Sequence, residues 1–346
     1  MKILNKRVLT IYPNCSRGGM ATVYKSRATS EKNVAFDFIF FNNFGGMSAL
    51  AALPNVRVKI VDKADILTML PGELSRSKYD EVRITTLAEL VKITAHRTRK
   101  LIYEFHSSDI GVILNELDNL DLSILDEVWV PSKFSYDLIS PFINLTTLKI
   151  VPNLVDTSIF TPLGKSFLLC DIPSESRPIV WVGRFDKSKN FKDFIELVSK
   201  LPCIFFGIMV VSLEDSVTRL AEVMYQVRQK KVEQRLKIFF NLTQHDMATL
   251  YRATVNSRGY FCSTSLAESF GYGVLEAALT GLPVIAYRLD ALEEHMQYAF
   301  SIQLIEPGAV ATMTNCIINS DWEKEYEENQ NGIADYRQRF RQDYFF

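Results

Sequence analysis

Nothing in this chain reaches the ~18 consecutive apolar residues that cross a bilayer as a helix, so a membrane-spanning helix is not expected. The five cysteines, Cys15, Cys170, Cys203, Cys262 and Cys316, are odd in number and scattered, without a Cys-x-x-Cys pair. That spacing argues against a disulfide scaffold or a zinc knuckle and suits reduced core residues of a cytosolic protein. Charge of one sign is missing too. A formal net charge of −1 argues against wholesale attraction to nucleic acid or an anionic membrane. No Asp-x-Asp stands between apolar runs, so no metal is expected to neutralise phosphate charge. No repeat of solenoid period is present. The opening Met1-Lys-Ile-Leu-Asn-Lys-Arg-Val is basic and then briefly apolar, which reads as a first strand and not as a cleavable leader.

What is present is enough apolar material for two cores. With 346 residues, 47% hydrophobic and 23% charged, the chain fits two domains of about 150 to 190 residues each. Short runs rich in Val, Ile, Phe and Tyr alternate with amphipathic stretches, the pattern of parallel sheets with helical crossovers. Strands are predicted at 8–12, 34–41, 56–61, 79–85, 100–105, 127–130 and 147–151, then around 178–183, 203–211, 236–240, 259–263 and 283–288.

One stretch organises the rest: Ser265-Leu-Ala-Glu-Ser-Phe-Gly-Tyr-Gly-Val-Leu-Glu-Ala-Ala278, lying between two apolar strands. Gly271 and Gly273 let the backbone approach a ligand, and a helix starting there aims N–H groups and a positive dipole end at an anion. Glu268 in the turn and Glu276 about a turn inside the helix place two carboxylates on the order of 12 Å apart. That is the reach from the sugar hydroxyls of a nucleotide sugar to its ribose diol, and carboxylates accept well from vicinal hydroxyls. Taken alone, the two glutamates are as ordinary as a loop charge and a solvated helix residue.

Together with Phe270, Gly271, Tyr272 and Gly273, however, the segment resembles the E-x7-E region of the retaining glycosyltransferases of family 4, with Ser269 in place of a glycine. Four further stretches resemble that family in order. Gly18-Gly19 matches its glycine pair near donor phosphate or acceptor. His106, at the end of Leu101-Ile-Tyr-Glu-Phe-His106, matches a histidine that contacts the transferred sugar. Pro152-Asn-Leu-Val-Asp156 carries Leu154 where a glycine is usual. Gly183-Arg184 and Lys189 match its arginine and lysine, with Asn190 in place of the last glycine. Asn241 also stands where a glycine is frequent, ahead of a short helix in which His245 reads as an ordinary first-turn residue.

The resemblance implies an α/β protein of GT-B fold, two Rossmann-like domains facing each other across a cleft. The expected parts are residues 1–160 on the acceptor side, a linker over 161–177, a nucleotide-sugar domain over 178–325, and a helix over 326–346 whose aromatic face returns to the first domain. It implies a metal-independent transferase with no cofactor beyond its nucleotide diphosphate sugar donor. Glu268, His106, Arg184 and Lys189 would serve catalysis, and Glu276, Gly18, Gly19, Phe270, Gly271, Tyr272 and Gly273 would bind the donor. The expected acceptor is a glycan or lipid-linked glycan in the cytoplasm, with a peripheral place at the inner face of a membrane left open. A basic stretch over 76–100 keeps contact with an anionic surface open, and with it a phage-type DNA glycosyltransferase acting on a hydroxylated base. A nucleotide-sugar epimerase and a non-catalytic nucleotide-sugar sensor also stay open. A sugar phosphorylase would need a pyridoxal-bearing lysine that the sequence does not show.

Overall fold

The structure, a computed structural model, describes residues 6–166, 172–212 and 217–343. It divides into two compact units, one up to Leu154 and one from Val155. No described helix is long and apolar enough to cross a membrane.

The first unit holds seven parallel strands: β1 (Lys6–Ile11), β2 (Val34–Phe40), β3 (Val56–Ile60), β4 (Glu81–Thr85), β5 (Leu101–Glu104), β6 (Glu127–Val130) and β7 (Leu148–Ile150). Their order across the sheet is β3-β2-β1-β4-β5-β6-β7. One face is apolar, with Leu9, Ile11, Val82, Ile84, Tyr103, Val128 and Val130 in a single core. The other begins as a stack of Phe36, Phe38 and Phe40 and turns polar from β4 onward, where Glu81, Arg83, Glu104 and Trp129 lie. The helix Gly19–Ser30 supplies Tyr24 and Arg27 to this face.

The second unit repeats the plan with six strands: β8 (Arg177–Gly183), β9 (Phe205–Val211), β10 (Leu236–Phe240), β11 (Tyr260–Ser263), β12 (Val284–Tyr287) and β13 (Ile302–Ile305). Their order is β10-β9-β8-β11-β12-β13, again parallel throughout. Helices cover both faces, which is why its strands are continuously apolar. Val180, Ile208, Phe261 and Val284 enter one core, and Ile179, Trp181, Met209, Tyr260 and Ile285 enter the other. In each sheet the winding reverses beside the first strand, at β1/β4 and at β8/β11, and ligands of such sheets bind at the carboxyl ends of the strands there.

Several boundaries differ from those expected. Val155, Ile159 and Phe160 pack into the second unit's core, and Arg252 donates to the carbonyls of Ile159, Thr161 and Lys165. The stretch up to 166 is therefore fastened to that unit instead of ending a first domain at 160, and residues 167–171 lie outside the described residues. The sixth strand, β13, is absent from the sequence prediction. The helix expected over 214–235 is described as Val217–Gln229. Cys15 and Cys262 are buried, as expected of core thiols, whereas Cys203 is exposed, and Cys170 is not among the described residues.

The final helix, Trp322–Asp343, is expected to return its aromatic face to the first domain, and its described apolar residues pack within the second unit. Ile333 and Tyr336 belong to the second unit's own core, Phe340 packs beside them, and Trp322 Nε1 donates to the Gly259 carbonyl. Tyr344 and Phe345 lie outside the described residues. The cause is a ready partner within the unit: Tyr298 and Phe300 present rings 5.0 and 6.3 Å from that of Tyr336. Truncating Tyr336 to alanine should cost on the order of 3 kcal/mol or more, as for other buried aromatics. Urea denaturation checks it, and an unchanged midpoint would mean the helix is not part of this core.

Candidate functional site

At the second unit's reversal point the ladder between β8 and β11 registers only Ile179 with Tyr260 and Val180 with Phe261. Beyond these pairs two connecting loops begin, 184–190 and 264–271. Side chains and backbone stitch them together. Thr264 accepts from Trp181 Nε1 at 3.1 Å and offers its hydroxyl to the carbonyls of Lys189 and Asn190, and Leu266 N donates to the Ser188 carbonyl at 2.6 Å.

This stitching brings the loop of Arg184 and Lys189 against the loop of Glu268. Lys189 forms an ion pair with Glu268, both largely shielded, and Arg184 Nη2 lies 3.0 Å from Asp186. Asp186 also accepts from the Ser188 hydroxyl and the Lys189 N–H. Burial works against its charge, but these donors and the two cations outweigh it and hold its carboxyl below the ordinary value. Asp186 is a site residue that the sequence reading passed over.

Gly271 precedes the helix Tyr272–Leu279 with φ +82°, and a Cβ there would stand 2.2 Å from Leu292 Cδ2. Backbone and space both demand glycine at this turn. The N-cap, Gly271, has no side chain, so the first N–H groups of the helix receive no bond from it. Phe270 and Tyr272 meet edge to face at 4.9 Å beside it.

Glu276 lies on the same helix, 9% exposed, and makes no side-chain hydrogen bond or ion pair among the described residues. Burial alone pushes its carboxyl up to about 8. The buried Tyr251 hydroxyl feels its charge and likewise has no hydrogen-bond partner.

A second residue missed by the sequence reading is His295. Its Nε2 lies 2.6 Å from the Phe270 carbonyl, its ring meets Phe270 edge to face at 5.0 Å, and it is 2% exposed. A carbonyl only accepts, so Nε2 carries the proton and donates it. His295 thus fastens the turn that carries Glu268 and Gly271. Nothing in its local sequence signals this, because the contact spans 25 residues.

The substituted glycines resolve into two kinds. Asn190 and Asn241 have φ of +49° and +56°, the left-handed region that asparagine tolerates better than other residues. Ser269 and Leu154 do not adopt positive φ, so neither position needs glycine for its backbone.

The remaining candidates belong to the first unit. Gly18 caps the helix Gly19–Ser30 with φ −81°, and a Cβ on it would meet only Ser16 Oγ at an ordinary 3.4 Å. His106 follows β5, its Nε2 2.9 Å from Glu104 Oε2. The basic stretch is partly dismantled. Arg83 is buried against Glu81 and over the Trp129 ring, Arg99 pairs with Asp80, and Lys100 pairs with Glu127. Arg76, Lys78, Lys92 and Arg97 remain exposed.

Residues 171–328 match the family described as Glycosyl transferases group 1. A probable sucrose-phosphate synthase of Thermosipho melanesiensis is 29% identical over 139 residues, 40% of this chain and 32% of that protein. The chain therefore matches about a third of that relative's length. Among solved structures, HepE of Anabaena in complex with UDP and glucose superposes with a TM-score of 0.77 at 18% identity, covering 97% of this chain and 95% of that one. Sucrose-phosphate synthase of Thermosynechococcus elongatus does so with a TM-score of 0.76 at 15% identity, covering 96% and 94%. The fold is GT-B, built from two Rossmann-like domains.

Burial pushes the His295 imidazole down to about 4 from an ordinary 6.5, against the opposing pull of the Phe270 carbonyl and the Glu268 charge. As pH falls, the unfolded chain takes up this proton first. The contribution to stability is therefore intact above about 6.5 and is lost progressively toward 4, up to about 3 kcal/mol. Thermal unfolding across this range should show the slope, and His295→Gln, which keeps a donor for the carbonyl, should flatten it.

Proposed function

We propose that this protein is a retaining glycosyltransferase that moves a sugar from a nucleotide diphosphate sugar to a hydroxyl of a glycan or lipid-linked glycan. The observation that carries the reading is Glu276: a buried carboxyl with no partner of its own, on the helix whose N-terminal end follows Gly271. An unpaired buried carboxyl is costly, and a vicinal diol removes the cost by donating two hydrogen bonds. In this reading Glu276 takes the ribose, and the helix end and the 184–190 loop take the diphosphate.

The acceptor oxygen attacks the anomeric carbon on the face from which the diphosphate leaves. The bond from that carbon to the phosphate oxygen breaks with its electron pair, and the acceptor proton passes to the departing phosphate. Lys189 is ion-paired with Glu268, and in this reading one cation serves both the carboxylate and the leaving group. Glu268 orients sugar hydroxyls, with Phe270, Tyr272 and Gly273 lining the turn. For His106, Gly18 and Gly19 the part toward the donor rests on the family resemblance, and neither glycine adopts a positive φ. Arg184 and Lys189 take the place of a metal in countering the diphosphate charge.

For the acceptor, a glycan or lipid is favoured over DNA. Ion pairs of Arg83, Arg99 and Lys100 engage three of the seven cations of the 76–100 stretch, which weakens the case for phosphate contact there. The helix after His106 exposes Ile110 and Leu114, one turn apart, which suits a sugar's apolar face or a lipid.

The test is release of nucleotide from a panel of UDP-, GDP- and ADP-sugars, and no release from any of them sinks the reading. UDP binding near pH 7 should expel a proton from Glu276, seen by calorimetry in buffers of different ionisation enthalpy. Glu276→Gln should abolish that proton release and weaken UDP by about ten- to a hundredfold. Activity should survive EDTA, and loss restored by magnesium or manganese would remove the metal-independent mechanism.

A further inference from the structure

The polar face of the first sheet contains a buried chain of charges that ends at His106. Glu104 is fully buried and receives Arg27 Nη1 on both carboxylate oxygens at 2.8 Å. The Arg27 guanidinium lies 5.4 Å from the Trp129 ring and that of Arg83 4.7 Å from it. Burial opposes the Glu104 charge, yet Arg27, His106 and Arg83 together hold its carboxyl far below the ordinary range. It is therefore an acceptor only.

The remaining contact of Glu104 is His106 Nε2, at 2.9 Å. Because a carboxylate cannot donate, that nitrogen must carry a proton. Nδ1 makes no hydrogen bond among the described residues. In the neutral ring it is the lone-pair nitrogen.

We propose that Glu104, anchored by Arg27, is the positioning residue that sets the tautomer of His106, keeping the proton on Nε2 and leaving Nδ1 as the acceptor for a hydroxyl of the transferred sugar. The claim about the transferred sugar rests on the glycosyltransferase reading, while the claim about the tautomer stands on the protein alone. Glu104→Gln discriminates sharply. Arg27 only donates, so the glutamine carbonyl turns to Arg27 and its amide NH2 turns to His106. Nε2 must then accept, and the proton moves to Nδ1.

The experiment is nitrogen-15 imidazole spectroscopy of the full chain, which has only four histidines, with His106→Gln assigning the signal. Recorded at a pH where the ring is neutral, wild type should show the proton on Nε2, and Glu104→Gln should show it on Nδ1. With UDP-glucose as the probe donor, Glu104→Gln should lower turnover about ten- to a hundredfold with KM little changed, Glu104→Asp should restore much of it, and Glu104→Gln should cost nothing further in a His106→Ala background.

A wild-type ring protonated on Nδ1 overturns the proposal without any variant, so a misfolded Glu104→Gln does not remove the test. An unchanged tautomer in a folded Glu104→Gln protein, or an equal loss in the His106→Ala background, also overturns it. If no UDP-glucose is consumed while the tautomer switches, the positioning of His106 stands and its role toward a sugar falls.

Discussion

The second unit depends on how β8 and β11 are held where the sheet reverses its winding. Their ladder is short, and past it Trp181 and Thr264 take over, joining the two loops by hydrogen bonds to Lys189 and Asn190. Because Thr264 is fully buried, these bonds form out of reach of competing water. The loop carrying Arg184 and Lys189 and the loop carrying Glu268 and Gly271 therefore move as one piece. The Lys189–Glu268 ion pair, the Gly271 turn and the helix end all inherit their positions from that joint.

Two buried carboxyls show how burial separates structure from readiness for a ligand. Glu104 is compensated on both oxygens, by Arg27 and His106, and its charge is secure. Glu276 has no such partner, and burial lifts it to about 8. A protein gains nothing in stability from an uncompensated buried acid. Its persistence beside Gly271 is what a binding partner from outside would explain, whereas Glu104 needs no outside partner and acts through its neighbour.

The final helix shows a limit of reasoning from amphipathicity. Its aromatic face states that it must dock, but not on what. Tyr298 and Phe300 decide the matter for Tyr336 and Phe340, and they follow a turn whose course depends on β12 and β13. The same limit applies to the basic stretch of 76–100, whose charge count was visible while the burial of Arg83 against Glu81 was not.

The sequence by itself determined the parallel sheets, because strands buried on both faces must be continuously apolar, and it located the glycine turn at Gly271, because only glycine meets that backbone and that space. It also marked Asn190 and Asn241, residues suited to a left-handed backbone, where glycine is usual. Tertiary structure alone decided that Lys189 pairs with Glu268 across 79 positions, that His295 donates to Phe270, and that Arg27 anchors Glu104 across 77 positions. Backbone preferences act over a few neighbours and can be read along the chain. Ion pairs and buried hydrogen bonds join residues that become neighbours only after the sheets have formed.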